Sequence, residues 1–197
     1  TVLAMAPKEG VVFIGDRKIT SKLLIKESLK KESQIDDHIA ITGAGAMSDG
    51  RRLIEHAQQT THEYYTKMQV PMDTLALVKE IANIQQHYSQ SGGLRPFGVS
   101  LLIGGFEQNK AHVYQTTPSG MYMKFLARSV GSQAQKLNEY LEEEYKDNLT
   151  LNKGLEVGIK GFKKALQDEF DINRFDIATL SKEGFKKLNE SEIKNLM

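Results

Sequence analysis

The chain has 197 residues, 40% hydrophobic and 26% charged, enough for one full globular domain and too little for two large ones. That balance excludes a disordered tail or a collagen-like fibre, and 26 Lys and Arg against 25 Asp and Glu leave a formal charge of +1, with no strong field to draw nucleic acid or an acidic membrane. Cysteine is absent, which removes disulfides, thiolate metal sites and a cysteine nucleophile, and the longest apolar runs, such as VSLLIGG at 99–105, fall far short of the ~18–20 residues of a membrane span.

Residues 2–6 and 11–14 are short apolar runs around the turn Pro7-Lys8-Glu9-Gly10, a pattern that predicts a β-hairpin. A short extended piece is expected over 18–21, followed by a Lys/Glu-rich stretch. Residues 38–42 predict another strand, ending in the small-residue loop Gly43-Ala44-Gly45-Ala46. Two helices come next. Ser48 or Asp49 is expected to cap the first, along which Leu53, Ile54, Ala57, Thr61, Tyr64, Tyr65 and Met68 recur at helical spacing. Pro71 breaks that pattern. Asp73 caps the second helix, with Leu75, Val78, Ile81, Ala82 and Gln85 on one face, and Gly92 and Gly93 end it.

Strands return over 97–103, 112–116 and 121–126. A helix is predicted over 132–145 with Ala134, Leu137, Tyr140 and Leu141 inward. A second, capped by Thr150, carries Leu151, Leu155, Ile159, Phe162 and Leu166. A final hairpin over 175–180 and 185–188 turns at Lys182-Glu183-Gly184, and Asn189-Glu190-Ser191-Glu192 has the form of a capping box for a short last helix. Strands, two helices, strands, two helices, strands and a helix do not make the strict alternation of a doubly wound parallel sheet. The order suits two antiparallel sheets packed face to face, with helices on the outer faces. No repeat and no linker-like shift interrupts it, so one domain is expected over 1–197.

His38, His56, His62, His87 and His112 form no HExxH pair, so neither a metal nor a cofactor is expected. GAGAMSDG at 43–50 completes neither a dinucleotide fingerprint nor a P-loop. It reads better as a tight strand-to-helix turn whose small residues allow close packing and whose backbone N–H groups suit a carboxylate. The lysine-rich run 26–31 reads as a solvated face, and no G-x-S-x-G elbow is present. Thr1 remains: a terminal threonine can supply both a hydroxyl nucleophile and an amine base, and the plain alternative is truncation at an arbitrary point.

Several blocks carry a resemblance. Tyr88-Ser89-Gln90-Ser91-Gly92-Gly93-Leu94-Arg95-Pro96-Phe97-Gly98-Val99-Ser100 resembles a signature of α-type proteasome subunits. Asp16-Arg17-Lys18-Ile19-Thr20-Ser21, Ile35-Asp36-Asp37-His38-Ile39, Thr117-Pro118-Ser119-Gly120 and Val130-Gly131-Ser132 agree with the same family in order and spacing. The Gln-Ser-Gly-Gly stretch and Gly184-Phe185-Lys186-Lys187-Leu188 look most like the second of the seven eukaryotic α types. The resemblance covers essentially the whole chain.

It implies an α+β fold, the four-layer αββα sandwich of two antiparallel sheets shared by N-terminal-nucleophile hydrolases. It implies no catalytic residue of its own, no cofactor, and a place in the cytoplasm and nucleus. The implied partners are other α subunits in a seven-membered ring, the β ring, and the tails of regulatory-particle ATPases or other activators, with no nucleic acid and no membrane. Full α subunits carry an N-terminal gate extension and helix ahead of the first strand, so the expected domain over 1–197 is one without that segment. The rival is a β-type protease subunit using Thr1. Asp16 and Lys31 fall on its acidic and lysine positions, but Thr1 aligns one place past the nucleophile, and Asp171-Ile172 stands where Ser-Gly is needed. In α-type subunits the lysine four places before the Ile-Asp pair lies in a pocket between neighbouring subunits, where it meets the terminal carboxylate of activator tails. Lys31 stands four before Ile35, and Gly45 and Ala46 match the loop lining that pocket.

Overall fold

The computed structural model describes residues 1–18, 21, 23–25 and 28–196. Strands β1 (Val2–Met5) and β2 (Gly10–Asp16) form the expected hairpin, with Leu3 opposite Ile14 and Met5 opposite Val12. Strands β3 (Glu32–Asp36) and β4 (Ile39–Gly45) pair next, and helices α1 (Met47–Met68) and α2 (Thr74–Gln90) follow. Then come β5 (Val99–Glu107), β6 (Lys110–Thr116), β7 (Tyr122–Phe125) and β8 (Ala127–Val130). Helices α3 (Ala134–Glu144) and α4 (Leu151–Leu166) precede the hairpin of β9 (Phe175–Ser181) and β10 (Gly184–Lys187), and α5 (Glu190–Lys194) is the last described helix.

The strands form two antiparallel five-stranded sheets, ordered β10-β9-β2-β1-β8 and β3-β4-β5-β6-β7. Their period of two divides the core into three layers. Leu3, Met5, Val12 and Ile14 point outward and pack under α3 and α4 with Leu137, Leu155, Ile159 and Phe162. Val2, Ala4, Val11 and Phe13 point the other way, against Ala40, Leu102 and Val113 of the second sheet. That sheet buries its far face, through Ile39, Ile41, Leu101 and Ile103, under Leu53 and Ala57 of α1 and Leu77 and Ile81 of α2. Helix, sheet, sheet and helix therefore stack as four layers.

The capping expectations hold for three helices: Asp73 accepts from Ala76 N–H, Thr150 from Lys153 N–H, and Asn189 with Glu192 closes the capping box. They fail at α1, which starts after Ala46 with no side-chain cap, and Ser48 and Asp49 lie inside its first turn. The small-residue loop is shorter than expected, because β4 runs on through Gly45. Strands β3 and β8 are additions to the expected set. Of the extended piece expected over 18–21, Lys18 and Ser21 lie outside any strand, while Ile19 and Thr20 lie outside the described residues, as does Lys26 of the lysine-rich run.

Phe13 is fully buried between the sheets. Phe13→Ala is expected to cost about 3–5 kcal/mol of stability, read from denaturant unfolding of the full-length protein. A cost below about 1 kcal/mol would show that the inter-sheet layer refills.

Candidate functional site

Lys31 immediately precedes β3, held through its backbone on two sides. Its N–H donates to Asp176 Oδ2 at 3.0 Å, and its carbonyl accepts from Thr42 Oγ1 at 3.0 Å. The side chain reaches Met47, with Nζ 3.5 Å from Sδ. Here a cavity of 530 Å³ opens between the segment before β3 and the first turns of α1. Arg17, Lys30, Lys31 and Arg51 bring four cations to its wall, Ser28, Ser33 and Ser48 bring hydroxyls, and Leu29, Met47 and Ile54 supply apolar surface. No carboxylate stands among the described lining residues. A site of this composition favours an anion with an apolar neighbour, and the start of α1 adds the partial positive charge of its unpaired N–H groups.

Gly45 and Ala46 adjoin this cavity without belonging to its described lining, whose α1 side starts at Met47. Gly45 has φ +130°, and a Cβ there would lie 2.1 Å from the Gly98 carbonyl oxygen, so the position demands glycine. The N–H of Ala46 donates to that same oxygen at 2.8 Å, so it is not open to a ligand. The two residues shape the turn that delivers Met47 and Ser48 to the wall.

Asp49 pins the turn from behind. Its carboxylate accepts two hydrogen bonds from Arg95, at 2.8 and 2.9 Å, and one from Gly98 N–H at 2.7 Å. Arg95 and then the Gly98 N–H hold its pKa down to about 2. This is the physical use of the Arg95-Pro96-Phe97-Gly98 block: it locks the start of α1. The pairing spans 46 residues, and its sequence signal is an acidic first-turn residue together with a lone arginine before Pro96.

The residues of the rival constellation lie together, with the Asp16 N–H donating to the Thr1 carbonyl at 2.9 Å and the Thr1 amine lowered by burial and then by Lys31, but their side chains have other partners. Thr1 Oγ1 accepts from Gln133 N–H at 3.0 Å and lies 3.3 Å from Ser132 Oγ. Asp16 receives a two-pronged bond from Arg174, at 2.6 and 2.8 Å, and one from Lys18 N–H at 2.9 Å. Lys31 meets Met47 instead.

Two antiparallel sheets between two helical layers, led by the β1–β2 hairpin, have the architecture of the N-terminal-nucleophile hydrolases. Within that class, the proteasome subunit family model matches residues 1–180, and the chain belongs to that family. It is similar to a proteasome subunit alpha of Methanocaldococcus jannaschii, 41% identical over all of this chain and 76% of that protein, and to one of Methanopyrus kandleri, 36% identical over all of this chain and 80% of that protein. It is also 33% identical to a proteasome subunit alpha type-2 of Dictyostelium discoideum, over all of this chain and 85% of that protein. The chain is an α-type member, and the likeness to the second eukaryotic type stands beside higher identity to archaeal α subunits.

Gly45→Ala is expected to destabilise the protein by about 1–3 kcal/mol from backbone strain alone, read by thermal or denaturant unfolding. Arg95→Ala is expected to lower the melting temperature in a pH-dependent way. Asp49 titrates below its ordinary range, so its contribution is full above about pH 4 and is lost as pH falls toward 2. The gap between wild type and Arg95→Ala should narrow over that window; a gap constant with pH would separate Arg95 from the Asp49 charge.

Proposed function

We propose that this chain is a non-catalytic subunit of the proteasome α ring, acting in ring assembly, gating and activator docking for protein degradation carried out by other subunits. The expected partners are neighbouring α subunits in a seven-membered ring, a β ring, and activators that insert a C-terminal tail. The carrying observation is the basic cavity at Lys31, with four cations and no carboxylate in its described lining. In this reading the Lys31 ammonium takes the terminal carboxylate of the tail, a charge-assisted contact, while Leu29, Met47 and Ile54 receive its apolar side chains. Gly45 and Ala46 act through the turn they hold. Leu23 and Ile25, 93% and 71% exposed just before the cavity, suit burial against a ring neighbour, which would supply the far wall.

The absence of proteolytic activity is supported by geometry: the hydroxyl of Thr1 is bonded to Ser132 and Gln133, and the acidic residue of the constellation is taken by Arg174. One proteasome-type domain over 1–197 and residence in the cytoplasm and nucleus belong to the same proposal. Among the described residues no helix is long and apolar enough to cross a membrane.

Lys31→Ala should weaken docking at this pocket by about 1.5–3 kcal/mol while changing stability by no more than about 0.5 kcal/mol. Activator-stimulated peptide turnover and activator affinity in assembled particles measure the first, and unfolding measures the second. Docking unchanged in fully assembled mutant particles would remove Lys31 from the site. Thr1→Ala should leave peptide turnover by the particle unaltered, and its abolition would restore the protease reading.

A further inference from the structure

Two buried carboxyl groups face each other behind Lys31. On β2, Val11 and Phe13 point into the inter-sheet layer, and Gly15, two residues on, points the same way. Asp176 is paired with Gly15 across β2 and β9, so its side chain shares that face. Glu32 is paired with Thr42 across β3 and β4, two residues on from Ala40, and enters the same layer from the opposite sheet. A Cβ on Gly15 would stand 2.5 Å from Glu32 Oε1 and 2.5 Å from Lys31 Cβ, so the glycine leaves the space these side chains occupy. Glu32 is 3% exposed and Asp176 2%.

Their hydrogen bonding is unequal. Asp176 accepts the Lys31 N–H at 3.0 Å on Oδ2 and the Lys187 ammonium at 2.6 Å on Oδ1. Neither oxygen of Glu32 receives a well-formed hydrogen bond from an N–H or O–H group of the described structure; its own amide lies near but out of geometry, and the group against it is the Asp176 carboxyl. One ammonium balances one carboxylate here, and a second carboxylate shut away from water beside the first is strongly disfavoured.

We propose that Glu32 is a neutral carboxylic acid at neutral pH that donates its O–H to Asp176, so that one shared proton latches the two sheets together and makes Glu32 a positioning residue for Lys31. The use of Lys31 in docking rests on the reading above; the latch does not.

The electrostatics agree. Burial first, then the hydrogen bond to Asp176 and its charge, push Glu32 well above the usual glutamate range, with Lys187 opposing. Burial pushes Asp176 upward too, but the bonds from Glu32, Lys187 and the Lys31 N–H outweigh it and hold Asp176 below its usual range. Among the described residues, Lys187 on β10 bonds Asp176, Lys31 before β3 donates its N–H to Asp176, and the Thr1 amine, lowered by burial and then by Lys31, faces that lysine. Arg17, Lys30, Glu190 and Lys194 line the cavity beside Asp176 and Lys187.

The sign follows from the raised group. Stability from a protonated Glu32 is complete below the ordinary glutamate range and is lost as pH rises through its folded midpoint. Across that window, opening of the latch grows about tenfold per pH unit. Glu32→Gln keeps a donor for Asp176 and removes the titration, whereas Glu32→Ala removes both.

The test is amide hydrogen exchange of the β3 segment in assembled particles of the full-length protein, compared from about pH 6 to about pH 9 for wild type, Glu32→Gln and Glu32→Ala. The expected result is a deficit of wild type against Glu32→Gln that widens by at least tenfold from the acid end to the alkaline end, and weaker protection of Glu32→Ala throughout. A wild type that tracks Glu32→Gln at every pH, or a Glu32→Gln as unprotected as Glu32→Ala, overturns the shared proton. Binding of a peptide with a free C-terminal carboxylate reads the positioning role. Affinity that falls with pH in wild type and not in Glu32→Gln supports it, and affinity indifferent to both overturns it. A peptide that binds wild type and Lys31→Ala equally refutes the docking reading, while the exchange comparison still decides the latch.

Discussion

The structure depends on two sheets that each cover the other and are each covered by helices. Strands β1, β2, β4, β5 and β9 are therefore buried on both faces along most of their length, and the residues there must suit one of two dry layers. Most do so as aliphatic or small side chains. A polar group admitted to the inter-sheet layer must find its partner there, because water is absent. Glu32, Thr42 and Asp176 are such groups, and they lie directly behind Lys31, which lines the basic cavity. The polar end of a dry layer thus becomes the rear support of Lys31. Thr42 holds its carbonyl and Asp176 its amide, leaving only the side chain to move.

The same constraint explains which elements were legible in the sequence. Helices α2, α4 and α5 carry local caps, side chain to backbone three residues on, and their starts are readable without the fold. The first hairpin is readable because its turn lies between two apolar runs. Strand β3 is not, because it stands at a sheet edge as Glu-Ser-Gln-Ile-Asp, with only Glu32 and Ile35 buried, and its charge disguises it. Strand β8 is short and separated from β7 by one residue, so the two merge in the apolar pattern. The start of α1 was misplaced because Asp49, which has the right chemistry for a cap, spends its carboxylate on Arg95 and Gly98 far along the chain.

Of the site, Lys31, Gly45 and Ala46 were reached by position in a family pattern, and the structure separates their parts. Lys31 is on the wall, while the other two are in the turn that forms it. Arg17, Lys30 and Arg51 carry no signal for a shared cavity, since basic residues in polar stretches are ordinary surface and these three lie far apart in the sequence. The Glu32–Asp176 contact joins residues 144 apart in number and is invisible to any local reading.

In the proposed reading, the same arrangement separates docking from catalysis. An acidic residue closing β2 and a lysine before β3 are the pair a terminal-threonine nucleophile needs, and both are present as Asp16 and Lys31. Arg174 stands three residues past Asp171, beyond the place where Ser-Gly would be required, and takes both oxygens of Asp16. With that carboxylate satisfied, it competes less for the Lys31 ammonium, which extends to Met47 at the cavity wall. In that reading, the Lys31 ammonium at the cavity wall is the charge that takes an anion arriving from outside.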